Sequence, residues 1–446
     1  MKKVLILVLD FFLFFYAFPQ KKIVSAGPML GYLTMHETVI WLQTTQEATI
    51  QVAYYKIETE HSERVDTLWS DKIITSKNKA FTAHIILNKL SPNSKYQYDI
   101  FINNKKIKFN FPTKFTTKKI WRYRTDPPNF KFAAGSGSYI NDPKWDRPNK
   151  PHGGGYEIYR SIYEKHPDFM LWLGDNVYFR QNEWNSLTGM IYRYTHDRQL
   201  PQLQPLLANT FNYAIWDDHD FGPNNSDASF LFKDLALDVF KLFWANPSYG
   251  TKKHPGAYTF FNWNDVDFFL LDNRYYRDPD SLKTNEYKTQ LGKYQLDWLK
   301  KALVFSNASF KIIVLGGQFL NTAGVYETYT NYGFDKERQE IIDWIYKQNI
   351  RNVIFITGDR HHTELSILKQ ENKPIIYDLT LSPLNSRPNK YAINEINKLR
   401  IPGTLVTERN FGIVEVYGTE KNRKIKIEVY DVKGKNLWSY IIEQDK

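Results

Sequence analysis

Cysteine is absent from the 446 residues. Disulfides, thiolate metal ligands and cysteine nucleophiles are therefore excluded, and any metal must be held by oxygen and nitrogen. No internal repeat and no low-complexity tail is present, and no Lys/Arg-rich run interleaves with aromatics, which sets aside dedicated nucleic-acid binding. A second long apolar run is also missing. The first follows Met1-Lys2-Lys3 and extends from Val4 to Phe18, the layout of the charged and hydrophobic regions of a signal peptide. Residues 1–20 are accordingly expected to direct export to the periplasm or cell exterior. The alternative is an uncleaved anchor, although about fifteen apolar residues fall short of the roughly twenty that span a bilayer.

The chain carries a formal charge of +11, with its basic residues scattered in short groups, the pattern of a solvated basic surface, although a surface of that sign would also draw in anionic substrates. Aromatic residues are abundant at 16%, with 30 Tyr and 30 Phe, and belong in strands and core. The length exceeds what a single core normally serves, so two domains in a monomer are expected.

From residue 21 to 117 short alternating runs such as Thr38-Val39-Ile40-Trp41-Leu42, broken by polar turns, predict an all-β antiparallel sandwich. The stretch Leu90-Ser91-Pro92-Asn93-Ser94-Lys95-Tyr96-Gln97-Tyr98 is similar to the loop and Tyr-x-Tyr strand of fibronectin type III-like domains. Residues 118–129, with Pro127-Pro128, have no sustained periodicity and are expected to be a linker. From 130 to 446 apolar strands alternate with helical patterns, predicting an α/β layered domain. Strands are expected at Lys131–Ala134, Phe169–Leu173, Tyr213–Trp216, Lys311–Leu315 and Asn352–Ile356. Helices are expected at Gly155–Lys165, Ser229–Trp244, Tyr294–Phe305 and Glu337–Lys347.

Ligands of α/β sheets bind beyond the carboxyl ends of the strands. Those ends here read Gly174-Asp175-Asn176-Val177-Tyr178, Asp217-Asp218-His219-Asp220, Gly316-Gly317-Gln318 and Gly358-Asp359-Arg360-His361-His362. Clustered carboxylates repel one another unless cations neutralise them, so a metal site is the economical explanation. A lone Asp at a strand end is more often a cap or turn residue; four such loops in register are not. His219 can assist a leaving oxygen, and Arg274 or Arg360 can hold phosphate oxygens in a fork. His361 is preferred over His362 as a ligand, His362 being expected either to support the ligands from behind or to be structural. The segment from Arg180 to Pro205, with Trp184, either walls the pocket or simply packs.

At these residues the chain resembles the PhoD-like alkaline phosphatase and phosphodiesterase family, itself similar to purple acid phosphatases within the metallophosphoesterases. The motifs are Gly174 to Tyr178, Trp216-Asp217-Asp218-His219-Asp220, Leu271-Asp272-Asn273-Arg274-Tyr275-Tyr276-Arg277, Leu291-Gly292 with Gln295, Trp298 and Leu299, and Thr357-Gly358-Asp359-Arg360-His361. The resemblance implies an α/β metallophosphatase-like core of two packed β-sheets flanked by helices, an iron-plus-calcium centre, and hydrolysis of phosphate esters at neutral to alkaline pH. It implies Asp175 as bridging ligand and Tyr178 as iron ligand, with Asp217, Asp218, Asn225, Gln318, Asp359 and His361 completing the metal set and His219, Arg274 and Arg360 as catalytic residues. The family's first motif ends in Gly-Ser-Cys, whose thiolate binds iron; this chain reads Gly135-Ser136-Gly137-Ser138, so Fe(3+) loses a ligand and Mn(2+) or Zn(2+) become alternatives. Ser138 or water is the expected substitute. The expected activity is metal-dependent hydrolysis by a metal-activated hydroxide attacking phosphorus in line. The alternatives are a decayed cell-surface binding protein and a phosphodiesterase of phospholipid or polymer diesters.

Overall fold

The computed structural model describes residues 23–57, 65–283 and 287–445; the expected export segment, residues 1–20, lies outside them. Two sheets face each other. One has nine strands, and its middle is the parallel trio Phe130–Gly135, Phe169–Leu173 and Phe211–Ile215. The other has six, centred on Val266–Leu270, Phe310–Leu315, Val353–Thr357 and Ile376–Thr380, all parallel. Buried on both faces, these strands read as continuous apolar runs such as Phe-Met-Leu-Trp-Leu.

Between the sheets lies an aromatic core. Phe132 stacks on Phe169 at 5.0 Å, and Phe169 meets Phe268 of the opposite sheet edge-on at 5.3 Å. Helices Ile158–Glu164, Leu187–Arg198 and Lys233–Phe243 cover the outer face of the nine-stranded sheet. Helices Lys293–Phe305 and Asp335–Lys347 cover that of the six-stranded sheet. All five strands and all four helices read from periodicity are present, with ends shifted by at most four residues. Strand Val266–Leu270 escaped that reading, although it delivers Asp272, Asn273 and Arg274.

The all-β front segment differs in one respect from a separate sandwich. Strands Val24–Leu33, Thr38–Thr44 and Thr82–Leu87 extend the nine-stranded sheet, because Val24–Leu33 runs parallel to Phe211–Ile215 with Leu30 opposite Phe211. An edge of unpaired peptide groups is thereby closed. Strands Lys95–Ile102, Thr49–Lys56 and their neighbours form a third sheet over the same continuous core. Residues 118–129, read as a linker, are fastened down by the wholly buried Arg423. Its guanidinium donates to the carbonyls of Pro127 (3.3 Å) and Pro128 (2.9 Å) and grips both oxygens of Asp265 at 2.8 and 2.9 Å.

Removing Arg423 leaves a buried carboxylate without its cation. Arg423→Met is expected to destabilise the protein by about 3–5 kcal/mol, and Arg423→Met/Asp265→Asn by less, as read from urea unfolding midpoints.

Candidate metal centre

Four loops meet at the carboxyl ends of the strands. Gly174, at φ +88°, lets the first two touch: a Cβ there would lie 2.9 Å from the Asp217 nitrogen and 2.7 Å from its Cβ. Asp175, Asp359 and His361 hold left-handed backbone conformations at φ 53°, 62° and 55°, which non-glycine residues adopt at a cost and which cluster at functional sites. Bonds between loops hold that conformation: Ser138 N donates to the Asp175 carbonyl (2.8 Å), Asp359 N to Ser136 Oγ (2.9 Å), and His361 N to Ser382 Oγ (3.0 Å).

The result is two groups of potential ligands, Asp175 with Asp218 and His219, and Asp217 with Asp218 and Asp359. Within each, the ligand atoms lie within 4.8 Å of one another. Asp218 belongs to both, the place of a carboxylate shared between two ions. Asp175 Oδ2, Asp217 Oδ2, Asp218 Oδ1 and Asp359 Oδ2 are buried and accept no hydrogen bond. Four orphaned carboxylate oxygens in one place fit metal ions, since buried acceptors are otherwise satisfied.

The charges show the same need. Burial, and then the charges of Asp218, Asp359 and Asp217, push the Asp175 carboxyl well above the ordinary carboxylate range. Burial, and then Glu327, Asp217 and Asp218, do the same to Asp359. Burial raises Asp217 to about 6 against the opposing Arg274. Burial would raise Asp218 too, but His219, Arg274 and the Asn225 N–H hold it down at about 2. Asp220 is pushed by burial up to about 8; it accepts from Asp217 N (2.6 Å) and Asn176 Nδ2 (2.6 Å) and so braces the loop.

Tyr178 and His361 flank this group. The Tyr178 ring lies 4.4 Å from that of His219, and its hydroxyl is 3.1 Å from His361 Nε2. His361 Nδ1 lies 2.7 Å from the Arg387 carbonyl, which only accepts, so Nδ1 carries the proton and Nε2 presents its lone pair to the site. His362 Nδ1 bonds the Arg360 carbonyl at 3.0 Å, a packing role as expected.

Other expected residues are placed differently. Arg274, wholly buried, bonds Asp217 and, at 2.7 Å, Glu327; it is an internal counter-charge to the carboxylates and not an open fork for phosphate. Arg360 is held by Glu395 at 2.5 Å and by Gln318 Oε1 at 3.1 Å. Gln318 uses its amide on Glu364 and Thr380, each at 2.9 Å, and its Oε1 on Arg360 and Asn321, leaving no lone pair directed to the carboxylate cluster. Asn225 is exposed and contributes its backbone N–H to Asp218 Oδ2 at 2.6 Å. Trp184 packs against the apolar cluster beneath the helices.

Ser138 does not replace the missing thiolate, because its hydroxyl bonds Tyr159 at 2.6 Å. Ser386 stands there instead. A Cβ on Gly137 (φ +75°) would lie 2.8 Å from Ser386 Oγ, and that oxygen is 3.4 Å from His361 Nε2. Sequence reasoning missed Ser386 and Glu327, which lie in loops without pattern. Asn273, whose Nδ2 donates to Asp217 at 2.9 Å, sits in a motif that was recognised and could have been read from it.

The two facing sheets with their covering helices have the PhoD and purple acid phosphatase fold. The structure of PhoD superposes with a TM-score of 0.76 at 18% identity over 94% of this chain and 90% of that one. The purple acid phosphatase PPD1 from yellow lupin (Lupinus luteus) seeds gives 0.66 at 11% identity over 94% and 74%. Residues 132–422 match the family model of PhoD-like phosphatase, and the chain belongs to that family. Residues 21–120 match a domain of unknown function, DUF7800. Alkaline phosphatase D of Bacillus subtilis (strain 168) is 25% identical over 254 residues, 47% of this chain, and the match spans 43% of that relative's length.

Carboxyls with raised folded-state pKa values favour folding when protonated; that contribution is complete below the ordinary carboxylate pKa and is lost as pH rises through the folded values. For Asp217 and Asp220 the window runs from about pH 4 to about pH 8. Chelator-stripped protein is therefore expected to lose thermal stability across that window, and added metal to restore it at the alkaline end. Scanning calorimetry at several pH values checks this.

Proposed function

We propose that the chain is an exported, metal-dependent hydrolase of phosphate esters. The observation that carries this reading is the pair of ligand groups sharing Asp218, one of which includes His219. The family membership and the likeness to alkaline phosphatase D support the ester class. The Lys-Lys and apolar start of the sequence supports export. Among the described residues no helix is long and apolar enough to cross a membrane. In the same reading the protein acts as a monomer on anionic esters, and its front all-β segment is fibronectin type III-like, with one of its sheets continuous with the nine-stranded sheet.

Asp175, Asp217, Asp218 and Asp359 would hold the ions, with His219, His361 and Tyr178 at the margin. Ions bound there supply Lewis acidity and lower the pKa of water. Oxygen donors predominate and thiolate is lacking, which suits Mn(2+) or Ca(2+) and leaves Fe(3+) or Zn(2+) dependent on Tyr178 and the imidazoles. Arg274 keeps Asp217 ionised and oriented. His361 is held in one tautomer by the Arg387 carbonyl. His219, its pKa lowered first by burial, is neutral at alkaline pH and donates an N–H to the leaving oxygen.

Chelator-stripped protein is expected to be inactive on 4-nitrophenyl phosphate and to recover with added metal; no turnover with any metal overturns the reading. His219→Gln is expected to lower kcat by about 10²–10⁴-fold on an alkyl phosphate and less on 4-nitrophenyl phosphate, whose leaving oxygen needs little assistance. Ser386→Ala is expected to weaken metal binding by about tenfold, measured by metal analysis after dialysis against graded metal buffers.

A further inference from the structure

A cavity of about 740 Å³ opens beside the metal centre, lined by Arg147, Lys150, His152, Arg387 and Arg409, with Asp146 as its acidic member. It adjoins the centre directly. The His152 ring lies 6.1 Å from those of both Tyr178 and His361, and Arg387 is the residue whose carbonyl orients His361.

Little within the protein discharges these cations. Asp146 already has partners for both oxygens: Oδ1 takes Arg180 Nε at 2.9 Å and the Tyr139 hydroxyl at 2.7 Å, and Oδ2 takes Asp142 N at 2.7 Å. Arg409 is fixed by neutral carbonyls, its Nε donating to Asn385 O at 2.9 Å and Ser386 O at 3.1 Å. These bonds hold the guanidinium in place without cancelling its charge. Arg147, Lys150 and Arg387 are exposed and, among the described residues, form no ion pair. Four like charges around one cavity repel one another, and a small ester with a single phosphoryl group seated at the carboxylate cluster would leave them unmet.

We propose that this cavity is a subsite for a second phosphoryl group, so that the preferred substrates are phosphoesters carrying a further phosphate beyond the one cleaved. The assignment rests on the phosphoesterase reading and names its substrate class. Three guanidinium groups and one ammonium offer forked and point donors that suit the tetrahedral oxygens of phosphate. The second group also explains why part of the surplus of +11 is gathered at the mouth of a site whose own interior is acidic.

The test compares phenylphosphonate with 1,4-phenylenebisphosphonate, which differ by the second group alone and are not hydrolysed. Calorimetry on the metal-loaded full chain is expected to show the bisphosphonate binding at least about tenfold tighter. Arg147→Gln/Lys150→Gln/Arg387→Gln is expected to remove that advantage, and Arg147→Glu alone to reduce it. Thermal unfolding verifies that each variant is folded. Equal affinities in the wild type, or an advantage that survives the triple substitution, overturn the subsite. Hydrolysis of phenyl phosphate is followed separately: turnover with equal affinities sinks the subsite alone, whereas a bisphosphonate advantage without turnover sinks the hydrolase reading alone.

Discussion

Asp218 brings its carboxylate to within a few ångströms of Asp175 in one group and of Asp217 and Asp359 in the other, where little water reaches to screen their repulsion. Much of the surrounding structure answers that constraint. Arg274 is buried among them as a fixed cation, Glu327 holds its other end, Asn273 donates to Asp217, and the Asn225 N–H caps Asp218. The balance still leaves one oxygen on each of the four carboxylates without a partner. That residual acceptor capacity fits cations better than it fits a self-neutralised network. A self-neutralised network would have closed those four positions with donors.

The same constraint bears on the backbone. Asp175, Asp359 and His361 adopt left-handed conformations because each must turn its side chain back over the end of its own strand, toward a point shared with other loops. Hydrogen bonds to Ser136, Ser138 and Ser382 hold those turns, and the tight seat at Gly174 lets neighbouring loops approach. The two facing sheets supply the rigidity. Their aromatic core continues from Phe169 and Phe268 into the front segment through Leu30 and Tyr98, and Arg423 fastens the connecting residues. The strand ends therefore stand on one packed body.

At residue 137 the chain has glycine where the resemblance implies cysteine, and the consequence is local. With no side chain there, Ser386 enters from another loop and offers a hard oxygen beside Tyr178 and His361. The exchange changes the chemical character of the donors and leaves the carboxylate cluster intact. The carboxylate groups that could hold metal are unchanged, and the donor beside them is an oxygen, which suits harder ions than a thiolate would.

The sequence by itself determined the alternating layers, because uninterrupted apolar runs and 3.6-residue periodicity are local properties of the chain. It also determined the chemistry at the strand ends: Asp175, Asp217, Asp218, His219, Asp359 and His361 follow strands directly, and the fold places strand ends together. Only the tertiary structure decided what Arg274, Arg360 and Gln318 do, since a side chain's hydrogen-bond partners come from segments distant in sequence; Glu327 lies 53 residues from Arg274. Tertiary structure also joined the front strands to the central sheet and set Ser386 against Gly137, 249 positions away in the numbering. No periodicity or spacing encodes such pairings. They follow from which surfaces remain to be covered once the sheets have packed.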